Sequence, residues 1–144
     1  MKTFNKILCI AGLSTLGFAT VHADLLSDAA KLDVKQVCNV KANGIEAVLA
    51  TAAKYNAEAV KLGVEFKRLG VTNSNYIKTT TEAAKAKQKE VVLKYKKKGK
   101  VKTHKMATDY AAWRSCSFAI RALQQQVEAE TTWRLAVPGD GFKY

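Results

Sequence analysis

The chain has 144 residues, with 24 Lys or Arg against 12 Asp or Glu, a formal net charge of +12. That length holds one ordinary domain with a modest core. Three cysteines, two histidines and no glycine-rich loop leave no metal-ligand spacing and no phosphate cradle, so neither a cofactor nor a metal is expected.

The N-terminus reads as a secretory leader. Lys2 and Lys6 precede a mostly apolar, uncharged run from Ile7 to Val21, and Val21-His22-Ala23 fits a small-x-small cleavage site. The run is shorter than the roughly 20 apolar residues of a membrane span. Residues 1–23 are therefore expected to be a cleaved signal peptide, and residues 24–144 an exported domain, periplasmic or secreted, with no transmembrane segment. Cys9 leaves with the leader. Cys38 and Cys116 remain, and an isolated pair in an oxidising compartment predicts a disulfide closing a long loop.

Along the mature chain, Asp24 to Ala42 reads as a short or irregular first helix that ends at Asn43-Gly44. A second helix is expected from about Ile45 to Leu69, with Ile45, Val48, Leu49, Ala52, Tyr55, Ala59, Leu62, Gly63 and Phe66 on one face. Lys54, Glu58, Lys61 and Glu65 fall on the other. Gly70 to Thr79 has turn composition. Thr79 to Glu82 then offers a capping box for a third helix running to about Lys98, with a narrow seam of Ile77, Ala84, Val91 and Tyr95. After a turn at Gly99 to Lys102, a long helix is expected from Met106 to Leu135. Its core stripe would be Met106, Tyr110, Trp113, Cys116, Ile120, Leu123 and Val127. Phe118 and Trp133 lie off that stripe, and Arg114, Arg121 and Glu128 follow one another along its flank as a solvated edge. Pro138 and its glycines start an extended tail over about 136–144. The fold predicted from these elements is all-α: an antiparallel four-helix bundle in one domain, stapled by one disulfide.

Charge is the main anomaly. Residues 85–105 hold ten lysines, Lys85, Lys87, Lys89, Lys94, Lys96, Lys97, Lys98, Lys100, Lys102 and Lys105, against the single acid Glu90. A lysine run is most often a solvated face. Ten clustered cations repel one another, however, and Val92 and Leu93 are expected to point away from the apolar seam, among the lysines. The segment contains no Arg, which favours diffuse attraction over a shaped phosphate site. No helix-turn-helix or aromatic-basic pattern supports sequence-specific nucleic-acid reading.

The function expected is that of a non-catalytic binding protein. The lysine segment would contact an anionic partner, namely lipid head groups, an envelope polymer or an acidic protein, with Val92 and Leu93 adding apolar contact. The alternative is a periplasmic protein-binding module such as a stress chaperone or an inhibitor or immunity protein. An enzyme would have to use His104, the one histidine left after cleavage, and would need it in a pocket.

Overall fold

The computed structural model describes residues 18–68 and 70–132, with side chains from residue 25 onward. Residues 1–17 of the expected leader, Trp133 and the expected tail lie outside these.

The expected first helix is three pieces: α1 (Phe18–Lys31), α2 (Val34–Val37) and α3 (Val40–Asn43). Short polar side chains make the breaks. Asp33 accepts from the Lys35 N–H at 2.8 Å and caps α2, and Asn39 accepts from the N–H groups of Lys41 and Ala42 and caps α3. Such local bonds compete with continued helix. α1 itself runs through the expected cleavage junction at Ala23-Asp24.

α4 (Ile45–Lys61) and the long α6 (Thr108–Thr132) form the centre of the fold. Val48, Leu49, Ala52, Tyr55 and Ala59 of α4 share one core with Ala112, Cys116, Ala119, Ile120 and Leu123 of α6. Leu25, Leu26 and Val34 close it from the N-terminal side. Gln124 of α6 donates to the carbonyls of Ala29 and Leu32, both at 3.0 Å, and so satisfies the end of α1. The disulfide forms as expected between Cys38, at the end of α2, and Cys116 in the middle of α6, with Cα atoms 5.7 Å apart.

α4 stops eight residues before the expected Leu69. Gly63, at φ 72°, takes the left-handed position after the helix, where the Val64 N–H bonds the Ala59 carbonyl and the Gly63 N–H bonds that of Val60. The chain then forms a small hairpin, β1 (Lys67–Arg68) against β2 (Val71–Thr72), and enters α5 (Asn73–Lys85) through the Thr72 cap.

The largest correction falls on the expected third helix. It ends at Lys85 and gives way to an antiparallel hairpin of β3 (Glu90–Lys97) and β4 (Lys100–Ala107). The protein is thus a mixed α/β fold with two separate two-stranded sheets among the described residues, and the four-helix bundle is overturned. Two local signals enforce this. The N–H groups of Lys87 and Gln88 bond the carbonyls of Ala84 and Ala83, a helix-ending motif that places Lys87 at φ 51°. Lys98 and Gly99, at φ 50° and 75°, form a two-residue turn in which both φ values are positive, as tight hairpins prefer. Between these points Val91 and Leu93 alternate inward while Val92 faces solvent. Leu93 is 5 % exposed and Val92 41 %, so Leu93 is not the outward residue the sequence suggested. Val91, Leu93 and Met106 pack with Tyr76, Ala83 and Ala111 in a second, smaller cluster, which anchors a ribbon that would be marginal alone.

Lys87 pays the left-handed penalty of a residue with a Cβ, roughly 1 kcal/mol. Lys87→Gly is accordingly expected to raise the unfolding free energy by about 0.5–1 kcal/mol in urea titration. A fall in stability would contradict this account of the helix end.

α6 starts at Thr108, two residues after the expected Met106, because Met106 belongs to β4. The Thr108 hydroxyl and N–H bond the carbonyls of Gln88 and Lys89, which fixes the strand-to-helix corner. Tyr110 and Trp113, expected in the core, are 47 % and 37 % exposed and stack on each other at 5.5 Å. Glu58, expected on the solvated face of α4, is buried, with the Lys61 ammonium 3.6 Å from its carboxylate. No helix among the described residues is long and apolar enough to cross a membrane.

Candidate anion-binding site

Register fixes how the lysines are displayed. Paired residues of an antiparallel ribbon share a face. On the outer face Val92 pairs with Lys105, Lys94 with Thr103, and Lys96 with Val101; on the inner face Leu93 pairs with His104, Tyr95 with Lys102, and Lys97 with Lys100. Seven of the ten predicted lysines therefore stand on one hairpin: six on both faces of its outer half and at its turn, and Lys105 nearer the root, opposite Val92. Lys85, Lys87 and Lys89 lie at its root, where Lys87 and Lys89 share a shallow recess with Asp109. Val92 is joined on the outer face by Val101, which is 64 % exposed. The result is a cationic ribbon with branched apolar groups between its charges. Lysines also protect the two free edges of such a ribbon from pairing with other chains.

At the root of the hairpin, under its inner face, lies a pocket of about 180 Å³. The β1–β2 hairpin brings Arg68 to it and the segment before it Phe66, the start of α5 brings Asn73 and Tyr76, and α6 brings Arg114 and Phe118. The ribbon contributes Leu93, Tyr95 and His104. Phe66 stacks on Phe118 with centroids 3.9 Å apart, and Tyr76 meets Phe118 edge-on at 6.4 Å. The Arg114 guanidinium sits 5.1 Å from the Phe118 centroid and 5.8 Å from that of Tyr110, cation–π contacts that hold it in place. Among the described residues no Asp or Glu lines the pocket.

A polar network anchors this floor. Asn73 donates to the Asn56 side chain at 2.9 Å and to the Ser115 carbonyl at 3.0 Å, linking α5 to α4 and α6. Asn56 in turn donates to the Ser74 hydroxyl and to Glu65, while Glu65 accepts from both the N–H and the hydroxyl of Ser74. The Asn73 N–H bonds the Phe66 carbonyl at 2.9 Å, which ties the pocket wall to its base. The Tyr76 hydroxyl donates to the Met106 sulfur and joins α5 to β4. Burial pushes the Tyr76 phenol above its usual range; Arg114 and Arg68 oppose that rise and Tyr110 adds to it, leaving a neutral donor at neutral pH.

Glu65 responds in the other direction. Its partial burial alone would raise the carboxyl pKa, but the hydrogen bonds from Ser74 and Asn56, helped by the charge of Lys67, bring it below the usual carboxylate range. A depressed folded-state value adds stability above the unfolded-state value, and this is lost as pH falls through the folded one. Between about pH 5 and 3 the wild type is therefore expected to lose more unfolding free energy than Glu65→Gln, measured by urea titration at each pH. Parallel curves would show that the network does not stabilise the carboxylate.

The sequence placed the lysines but missed the pocket. Arg114, expected on a solvated edge, lines it. Phe118, off the predicted stripe, packs on Phe66 and forms a wall of the pocket. Arg68 and Tyr76 had no signal separable from turn and helix composition. His104 does reach a pocket, as an enzymatic reading would require, but the lining supplies no carboxylate to orient its ring. Among the described residues no group of three His, Cys, Asp or Glu side chains could hold a metal.

These features define a disulfide-bonded mixed α/β domain that displays a cationic hairpin over an arginine-aromatic pocket. No protein family, curated protein or solved structure matches the chain.

Proposed function

We propose that this is a non-catalytic binding protein whose lysine hairpin docks on an anionic surface, with anionic lipid head groups as the partner class. The observation that carries the reading is the outer half of the ribbon, where lysines on both faces surround the exposed Val101, with the exposed Val92 on the same face nearer the root. Lysines act as compact point charges that attract over about a Debye length, 8–10 Å at physiological salt. Val92 and Val101 then reach the head-group boundary once contact is made. Lys94 to Lys105 are the contact residues, with Lys85, Lys87 and Lys89 adding field from the root. Leu93 supports the ribbon from beneath and touches no partner.

Export is part of the same proposal. The leader-like N-terminus and the Cys38–Cys116 disulfide fit a protein that works outside the cytoplasm, against envelope or cell-surface anions. A chaperone would call for a large concave apolar face. The large exposed apolar side chains here, Val60, Leu62, Val92, Val101, Tyr110 and Trp113, are spread over the end of α4, the hairpin and the start of α6.

Co-sedimentation with phosphatidylglycerol and phosphatidylcholine vesicles at low and high salt tests the reading. Binding should require phosphatidylglycerol and weaken steeply with salt. Equal binding to both lipids, or none to either, would remove it.

A further inference from the structure

The lysine ribbon leaves the pocket beneath it unexplained. Its two arginines have no carboxylate partner among the described residues, although each could form a forked pair with one. Its walls are aromatic: Phe66, Tyr76, Tyr95 and Phe118. Its volume of about 180 Å³ is close to that of a cavity of roughly 150 Å³ known to take benzene, and below the 300 Å³ or more that larger ligands need. One ring and one small head group fit; a nucleotide or an acyl chain does not. At the base, both donors of the Asn73 amide are used by Asn56 and Ser115, which fixes its orientation. Its Oδ1 is a buried acceptor with no partner among the described residues.

We propose that this pocket binds a small aromatic carboxylate. Arg68 and Arg114 take the carboxylate, with His104 beside them at the ribbon edge. The aromatic walls take the ring. The site is distinct from the lipid-docking surface, since its charges are arginines at the root and the docking charges are lysines at the tip.

The test is calorimetric titration with 4-hydroxybenzoate, using p-cresol as the neutral counterpart that keeps the ring and its hydroxyl. The wild type should bind 4-hydroxybenzoate with submillimolar affinity and p-cresol at least about tenfold more weakly. Arg68→Gln and Arg114→Gln should each weaken 4-hydroxybenzoate by about tenfold or more, with Arg114→Lys in between. Arg68 is exposed on a short strand, so its variant remains informative if replacing Arg114 disturbs the aromatic stack; circular dichroism reports folding in each case. A variant with Lys94, Lys96, Lys97 and Lys98 all changed to Gln should bind 4-hydroxybenzoate as the wild type does, even where it loses vesicles. No binding at millimolar 4-hydroxybenzoate, equal affinity for p-cresol, or full affinity in the folded Arg68 variant would each overturn the proposal. Loss of binding in the lysine variant would overturn it as well, because the anion would then be held by the tip.

Discussion

Changing Cys38 and Cys116 together to alanine is expected to lower the unfolding free energy by about 3–4 kcal/mol. The two cysteines are 78 residues apart, so their bond forbids most of the open conformations of the unfolded chain. In the chain-entropy view a loop of that length contributes about 4.5 kcal/mol, and measured effects commonly fall somewhat below it. The consequences are not spread evenly. Cys38 ends a helix of four residues, and α3, beyond it, also has four; neither would hold alone in water. The disulfide fastens both to α6, and with them the packing of Val34 and Leu25 over the core. The double variant should therefore fray first at α1 to α3, seen as faster amide exchange there, while the β3–β4 ribbon keeps its protection until global unfolding. Denaturant midpoints and exchange rates together check this. A loss under about 1 kcal/mol would mean that packing alone holds the N-terminal segment.

Changing Lys94, Lys96, Lys97 and Lys98 together to Gln is expected to abolish binding to phosphatidylglycerol vesicles without destabilising the fold. Each lysine at an anionic membrane surface contributes about 1 kcal/mol, so four would contribute about 4 kcal/mol, or about a thousandfold in partitioning. All four are exposed on the outer half of the ribbon, beyond the Val91, Leu93 and Met106 anchor, and their removal relieves mutual repulsion. Stability should stay level or rise slightly. The salt dependence should flatten in the variant, since fewer counterions are displaced on contact. Vesicle co-sedimentation at several salt concentrations measures both effects. A drop of less than about tenfold would move the binding surface elsewhere.

How much of this was legible in the sequence follows from particular residues. The α4 stripe from Val48 to Ala59 repeats over three turns, which only a helix satisfies, and those residues form the core. The disulfide was legible because, with Cys9 assigned to the expected leader, two cysteines have one possible pairing. The third element was not. Val91 and Tyr95 stand four apart, a spacing that one face of a helix and one face of a strand both satisfy. Ile77 and Ala84, at sevenfold spacing before them, tipped the reading toward a helix. What decides the case is the run Val91-Val92-Leu93 followed by Lys98-Gly99: two β-branched valines and a leucine, then a pair suited to the positive φ of a tight hairpin turn. The lysines masked this signal because they tolerate either structure. Tyr110 and Trp113 fell on the predicted stripe and yet are exposed, at the edge of a groove that Asn39 and Val40 border. The pocket was illegible for a different reason. Arg68, Asn73, His104 and Arg114 come from four separate elements, and no spacing along the chain records that they meet.

The central claim is that the outer half of the ribbon is the surface that meets an anionic partner. The most direct measurement is the amide NMR spectrum of the protein as phosphatidylglycerol bicelles are added. Signals from residues 92–103 should shift and broaden first, with those of Val101 and the Lys98-Gly99 turn among the earliest, while α1 and α4 follow only when the whole particle slows. Perturbation that begins on α4 or around Tyr110 and Trp113, with the ribbon unchanged, would contradict the claim and leave the lysines as a solvated, edge-protecting face.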